Sequence, residues 1–153
     1  LPRKFFHNLK GIKVPKQKAI IVDIDGTISH KNGRDWYEYE KAINDTPDEA
    51  VLSVVKSLHK SGYKVIVVTC RSKECRKVTV AWLHQHLPEA EFLIMRDQAD
   101  FRHDAQVKQE MYEKNIAPHY DVMCVFDDID RVVSMWREIG LKCFQVQEEM
   151  QIQ

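Results

Sequence analysis

Ala19-Ile20-Ile21-Val22-Asp23-Ile24-Asp25-Gly26-Thr27 decides the fold. An apolar run stops at two carboxylates, a glycine and a threonine. Such a run reads as a strand buried on both faces of a parallel sheet. Ligands of open α/β sheets bind beyond the carboxyl ends of the strands. Asp23 and Asp25, at i and i+2 on an extended segment, project from the same side there. Asp23 can attack as a nucleophile, Asp25 can move a proton, and together they can hold a divalent metal.

Downstream, apolar runs alternate with helical patterns. Asn32-Gly33 is a tight-turn signal and predicts a small flap hairpin just after the aspartates. Thr46-Pro47-Asp48-Glu49 reads as a capping box, with Val51, Val54, Val55 and Leu58 at helical spacing and Gly62 as the stop. Val65–Val68 is a second buried strand, ending at Thr69-Cys70-Arg71. Ser72 caps the next helix, with Val78, Ala81, Trp82 and Leu83 as inward residues and Pro88 beyond its end. Phe92–Met95 is a third strand, and a polar loop from Arg96 to His103 leads to a helix from Asp104 to before Pro118. Val122–Phe126 ends at Asp127-Asp128, a helix carrying Val132, Val133, Trp136 and Ile139 stops at Gly140, and Leu141–Val146 is a fifth strand. The pattern predicts a three-layer, doubly wound α/β fold around a mostly parallel five-stranded sheet, with no large cap domain. Residues 1–18 read as a basic lead-in or linker, 19–147 as the domain and 148–153 as a tail.

The chain has 153 residues, enough for one domain with a sizeable core, and begins with Leu rather than Met, as a fragment or processed chain would. Lys plus Arg equals Asp plus Glu, so no overall basic footprint for non-specific nucleic-acid binding exists, though local clusters are compatible. There is no membrane-spanning apolar run and no signal-peptide pattern at the start. Cys70, Cys75, Cys124 and Cys143 have no zinc-ligand spacing and read as reduced thiols of a cytoplasmic protein.

Four polar clusters fall near the same sheet edge: Asp23/Asp25, Thr69/Arg71, Arg102 to Lys108, and Asp127/Asp128. Any one can be explained as a strand end. Four with complementary chemistry point to a site that handles phosphate, which needs a nucleophile, counter-charge and a proton for the leaving oxygen. Asp130 reads as a helix-start residue rather than a ligand.

Asp23-x-Asp25-Gly-Thr, Thr69, Lys108 and Asp127-Asp128 together resemble the haloacid dehalogenase-like superfamily of aspartate-nucleophile phosphotransferases. From Ile20 to Val146 the chain is similar to the 3'-phosphatase domains of the bacteriophage polynucleotide kinase-phosphatase family. The features that carry this are Lys31-Asn32-Gly33-Arg34, Arg71, Arg102-x-Asp104, Val107-Lys108, Ile116-Ala117-Pro118-His119, and Met135-Trp136-Arg137 with Ile139-Gly140. Thr69 and Cys70 depart from the Ser and Gly of the phage pattern. The resemblance implies removal of 3'-terminal phosphates from DNA or RNA, 2',3'-cyclic phosphates included, in end repair. It implies Asp23 as nucleophile, Asp25 as acid and base, and Thr69 and Lys108 as catalytic partners. Mg2+ would sit on Asp23, Asp25 through its carbonyl, Asp127 and Asp128, and substrate on Arg34, Arg71 and Arg102. A kinase domain or a ligase is the implied partner, the kinase's Gly-rich loop being absent from this chain. A capless, open site suits a polymer end, and Trp36, Tyr37 and Tyr39 are placed to stack on a terminal base or to pack the flap. The alternatives are a small-molecule phosphatase of the same superfamily and a non-catalytic module that holds phosphorylated ends.

Overall fold

The structure, a computed structural model, describes residues 15–149. The first fourteen residues of the expected lead-in and the last four of the tail lie outside them. Strand β1 spans Gln17–Val22, beginning inside the expected lead-in. A two-residue strand β2 (Ser29–His30) pairs antiparallel with β3 (Thr46–Pro47). Then come α1 (Glu49–Lys60), β4 (Lys64–Ser72), α2 (Arg76–His86), β5 (Ala90–Arg96), α3 (Asp104–Met111), β6 (Tyr120–Asp127), α4 (Asp130–Glu138) and β7 (Cys143–Gln145). The main sheet has the order β5-β4-β1-β6-β7, and its pairings are all parallel.

Alternation along the central strands builds two separate cores. Ala19 and Ile21 of β1 and Ile66 and Val68 of β4 pack with Val107 and Met111 of α3 and Val132, Val133 and Trp136 of α4. Ile20 and Val22, with Val65 and Val67, pack against Leu52 and Val55 of α1 and Trp82 and Leu83 of α2. The chain winds outward from β1 to β5 with α1 and α2 on one face. It then crosses back to β6 with α3 and α4 on the other, so the order reverses beside β1. That reversal opens a crevice at the carboxyl ends of β1, β4 and β6.

The helix limits follow local chemistry. Asp48 caps α1, its carboxylate accepting from the Val51 N–H at 3.0 Å, while Thr46 sits in β3 instead of capping. Gly62 and Gly140 take φ of 99° and 91° just past α1 and α4, the left-handed turn that ends a helix. Ser72 accepts from the Glu74 N–H and starts the short turn into α2. The expected helix from Asp104 ends as a helix at Met111 and continues as a wider π-type turn over Tyr112–Ile116. Val54 and Ala81, expected inward, face solvent, and the last strand is three residues long.

The flap differs from a tight hairpin at Asn32-Gly33. Gly33 has the expected positive φ of 67°, but no other residue there does, which excludes the two-residue turn. The ribbon closes lower down, Ser29 against Pro47 and His30 against Thr46. The enclosed segment folds onto the body through a 3-10 helix, Tyr39–Asn44. The cause is the buried pairing of Arg34 with Asp45, which draws the segment inward. No cap domain interrupts the described residues: only this flap lies between β1 and α1, and only α3 and its π turn lie between β5 and β6.

Candidate active site

The backbone after β1 winds tightly: the Ile24 carbonyl accepts from the N–H groups of Thr27, Ile28 and Ser29. Asp23 is anchored beside β6 by its own N–H donating to the Phe126 carbonyl at 3.0 Å. Asp23 therefore stands next to Asp127 and Asp128 at the end of the neighbouring strand. Gly26 lets this happen. A Cβ built there would lie 2.1 Å from Asp128 Oδ2, and φ is 82°. Only glycine leaves room for the Asp128 carboxylate and tolerates that backbone. Gly26→Ala is expected to displace Asp128 and reduce turnover at this site at least about a hundredfold, a barrier increase of about 2.7 kcal/mol. Steady-state kinetics checks this; wild-type turnover would contradict the fit.

Lys108 crosses from α3 into this cluster. Its buried Nζ lies 2.8 Å from Asp23 Oδ1 and 2.8 Å from Asp127 Oδ2. Burial opposes its charge, but the Asp127 and Asp23 carboxylates outweigh burial and hold its pKa well above the usual lysine value. Burial raises the Asp23 pKa, Lys108 pulls it back, and the Asp127 and Asp128 charges raise it further. Asp127 is fully engaged: Oδ2 also accepts from Trp136 Nε1 at 3.2 Å, and Oδ1 accepts from the Asp128 N–H at 3.0 Å. Asp128 has only the Thr27 hydroxyl, at 3.3 Å, which it shares with Asp23 Oδ2 at 3.2 Å. A single hydroxyl proton serves one of them at a time.

Oxygens of Asp23, Asp127 and Asp128 lie within 4.8 Å of one another. Three carboxylates face one ammonium, an excess of two negative charges that a divalent cation would neutralise. Asp128, the least satisfied carboxylate, has its pKa raised to about 6 by burial and by Asp127. A proton then competes with the cation. Binding is expected to weaken below about pH 6, so a divalent cation should raise the melting temperature more at pH 7.5 than at pH 5. The sign for the metal-free protein follows: Asp128 titrates near 3.8 unfolded and about 6 folded, so stability falls as pH rises through that window. A melting-temperature gain independent of pH would contradict this.

Asp25 is not in that cluster through its carboxylate. Both its oxygens turn to arginines: Oδ2 accepts from Arg71 Nε at 2.8 Å and Oδ1 from Arg71 Nη2 at 2.6 Å, with Arg34 Nη2 at 3.4 Å. Asp45 closes the set, taking Arg34 Nε and Nη2 at 2.7 and 2.6 Å and Arg71 Nη2 at 3.2 Å. Tyr39 lies against both guanidiniums, 5.3 and 5.6 Å from its ring centre, and its burial there raises its pKa to about 12. Arg34 and Arg71 were expected to touch substrate. At 4 % and 1 % exposure they hold Asp25 and Asp45, since two buried guanidiniums require carboxylate partners, and Arg71 also reaches the cleft. Arg102 is exposed at the rim and paired with Asp100 at 2.7 Å and Glu110 at 2.6 Å.

These groups line a cleft of about 480 Å³. Its lining includes the buried or half-buried Asp23, Asp25, Thr69, Arg71, Lys108 and Asp128 and the exposed Trp36, Tyr37, Phe101, Arg102 and Arg131. Thr69 is buried and accepts from the Arg71 N–H at 3.2 Å. Sequence reasoning missed Asp45, Arg131 and the two buried tryptophans that brace the site. Trp136 donates to Asp127, and Trp82 donates to the Asp45 carbonyl at 2.9 Å. The signal available for Asp45 was an uncompensated pair of arginines. For Arg131 there was none.

Comparison with known proteins agrees with this geometry. The family model described as the polynucleotide kinase PNKP phosphatase domain matches residues 17–150. A putative bifunctional polynucleotide kinase/RNA ligase of Autographa californica nuclear polyhedrosis virus is 31% identical over 136 residues, covering 86% of this chain and 19% of that protein. Chains in two solved Pnkp1/Rnl/Hen1 complexes, one described as an RNA repair complex, are 39% and 38% identical. Their TM-scores are 0.83 and 0.85, over 87% and 89% of this chain and 43% and 48% of theirs. The chain thus spans about a fifth of the viral relative and under half of the solved chains. A class C acid phosphatase from Bacillus anthracis shares the fold at 16% identity, with a TM-score of 0.57 over 80% of this chain and 55% of its own.

Proposed function

Because the chain belongs to the polynucleotide kinase PNKP phosphatase-domain family, we propose that it removes 3'-terminal phosphates from DNA or RNA, 2',3'-cyclic phosphates included. The observation that carries this is Asp23 held against Lys108 in a capless cleft, two residues from an Asp25 gripped by arginine. Asp23 attacks phosphorus, an aspartyl-phosphate forms, and the leaving 3'-oxygen takes a proton from Asp25. Asp25 then takes a proton from the water that hydrolyses the intermediate. Arg34 and Arg71 fix its orientation through both steps. Thr69 hydrogen-bonds a phosphate oxygen, and Lys108 carries positive charge to Asp23 and the transferring group. Asp23, Asp128 and the Asp25 carbonyl would hold Mg2+, with Asp127 engaged by its donors as their support. The cation supplies charge that lets a carboxylate approach a phosphate. Chelation is expected to abolish turnover, and added Mg2+ to restore it; full turnover after exhaustive chelation would contradict the metal.

Arg131 supplies positive charge at the rim for an adjoining phosphodiester, and Arg102 joins it where a phosphate displaces Asp100 or Glu110. Arg131 forms no ion pair among the described residues. The named relatives support a kinase domain or an RNA ligase as partner, since the viral protein is described as kinase/ligase and the solved complexes contain Rnl. No helix among the described residues is long and apolar enough to cross a membrane. The four free cysteines support a reducing compartment such as the cytoplasm. The test compares phosphate release from one oligonucleotide carrying a 3'- or a 5'-phosphate. Selectivity for the 3' end of about tenfold or more is expected. Equal rates would overturn it, and faster release from sugar phosphates would favour the small-molecule reading.

A further inference from the structure

Tyr37 and Phe101 are the two most exposed large apolar side chains among the described residues, each at 91 %, the next being Phe144 at 51 %. Both line the cleft that contains Asp23, and they come from different elements, Tyr37 from the flap and Phe101 from the loop after β5. Scattered exposed rings need no explanation, but two lining one catalytic cleft do.

Neither ring is exposed because its backbone is loose. Arg96 Nη1 donates to the carbonyls on both sides of Phe101, those of Asp100 at 3.0 Å and Arg102 at 2.8 Å. Arg96 also donates to the Cys70 carbonyl at 3.2 Å and pairs with Asp104. Asp100 Oδ1 in turn accepts from the Arg102 N–H at 3.1 Å. The peptide groups flanking Phe101 are thus tied to the body. Tyr37 sits in a turn whose ends are joined twice: the Glu38 N–H donates to the Asp35 carbonyl at 3.2 Å, and Glu38 Oε2 accepts from the Asp35 N–H at 3.1 Å. Arg34 Nη1 holds the same Asp35 carbonyl at 3.2 Å, which couples the turn to the Asp25 network.

The other flap aromatics are already engaged. Lys31 Nζ lies over the Trp36 ring at 3.8 Å from its centre, and Tyr39 is packed on Arg34 and Arg71. Two presented, unengaged π-faces lining a cleft that also holds Arg131, unpaired among the described residues, match the chemistry of a nucleotide. Bases stack on aromatic rings irrespective of sequence, while the strand's phosphates follow positive charge.

We propose that Tyr37 and Phe101 form a stacking clamp for the terminal base of the strand whose phosphate is removed. This rests on the polynucleotide reading of the site. The clamp places the sugar at a fixed distance from Asp23 by gripping the base, so it acts on substrate binding rather than on the bonds that change. It predicts that a bare sugar at the terminus loses affinity.

The test uses the full chain and two 3'-phosphorylated oligonucleotides, identical except that one is abasic at its terminal nucleoside. The wild type is expected to show a KM about tenfold lower on the base-bearing strand. Tyr37→Ala and Phe101→Ala should each raise that KM while leaving the abasic KM in place, so the ratio falls towards one. Tyr37→Phe and Phe101→Tyr, which keep the ring, should restore it. Equal wild-type KM values for the two strands would overturn the clamp while leaving the polynucleotide reading standing. So would alanine variants that leave both KM values unchanged, the result expected if these rings instead dock a protein neighbour, or that raise both together, the result expected if they only shape the loops. Hydrolysis of nitrophenyl phosphate by the wild type, with no release from either oligonucleotide, would overturn the polynucleotide reading and the clamp with it.

Discussion

Asp23→Asn is expected to abolish phosphate release, a loss on the order of 10⁴ to 10⁶ in kcat. An amide cannot form the aspartyl-phosphate, and no other carboxylate can take over. Asp25 is held by arginines, Asp127 is saturated by Lys108, Trp136 and the Asp128 N–H, and Asp128 is proposed to face the cation. Asp25→Asn should behave differently. It leaves the proposed nucleophile intact but removes the proposed proton donor, so alkyl phosphates should slow by about 10² to 10⁴. A nitrophenyl leaving group departs without a proton and should recover much of that loss. Measuring both variants on both substrates separates the roles. Equal impairment of Asp25→Asn on the two leaving groups would remove Asp25 from the proton transfer, and measurable turnover by Asp23→Asn would remove Asp23 as nucleophile.

The sheet was legible because its signals are local. Runs such as Ile20–Val22 and Val65–Val68 have no polar residue to face solvent, so they must be covered on both sides. The helices between them then follow from period and caps. Asp23, Asp127 and Asp128 were legible for a related reason: a carboxylate directly after a buried strand lands on the carboxyl edge whatever the loop does. Thr69 and Lys108 reached the cleft as expected, Lys108 because it lies one residue after the buried Val107 on the inward side of α3.

What could not be read is which polar group each long side chain chooses. Arg34, Arg71 and Arg102 look alike in sequence. In the fold, two are sealed against Asp25 and Asp45, and the third spans Asp100 and Glu110 at the surface. That choice is set by long-range pairing, Arg71 with Asp25 across 46 positions, for which a linear pattern carries no signal. The flap illustrates the same limit. Asn32-Gly33 is a strong local turn signal, yet the pull of Arg34 into a buried ion pair sets where the ribbon closes. Local propensity sets what a segment can do, and tertiary pairing selects among those options.

Asp45→Ala follows from that pairing and should have the largest effect on the fold itself. Asp25 and Asp45 balance Arg34 and Arg71, and Asp45, Arg34 and Arg71 are buried. Removing Asp45 leaves two buried guanidiniums sharing the partly exposed carboxylate of Asp25. Losing one partner of a buried pair costs about 3–5 kcal/mol. For a chain of this size that lowers the melting temperature by about 6–20 °C. Turnover should fall as well, because Arg34 loses its main anchor and competes with Arg71 for Asp25. Stability and activity can be separated with the double variant Arg34→Met, Asp45→Leu. It removes one charge of each sign and fills the space with apolar atoms, so most of the stability should return. Activity should not return, since Asp25 is then held by Arg71 alone and Arg71 has lost its second acceptor. Thermal melts and kinetics of the two variants decide the matter. A double variant that regains both stability and turnover would show that the network serves the fold alone. If Asp45→Ala melts and turns over like the wild type, the buried network has no energetic role.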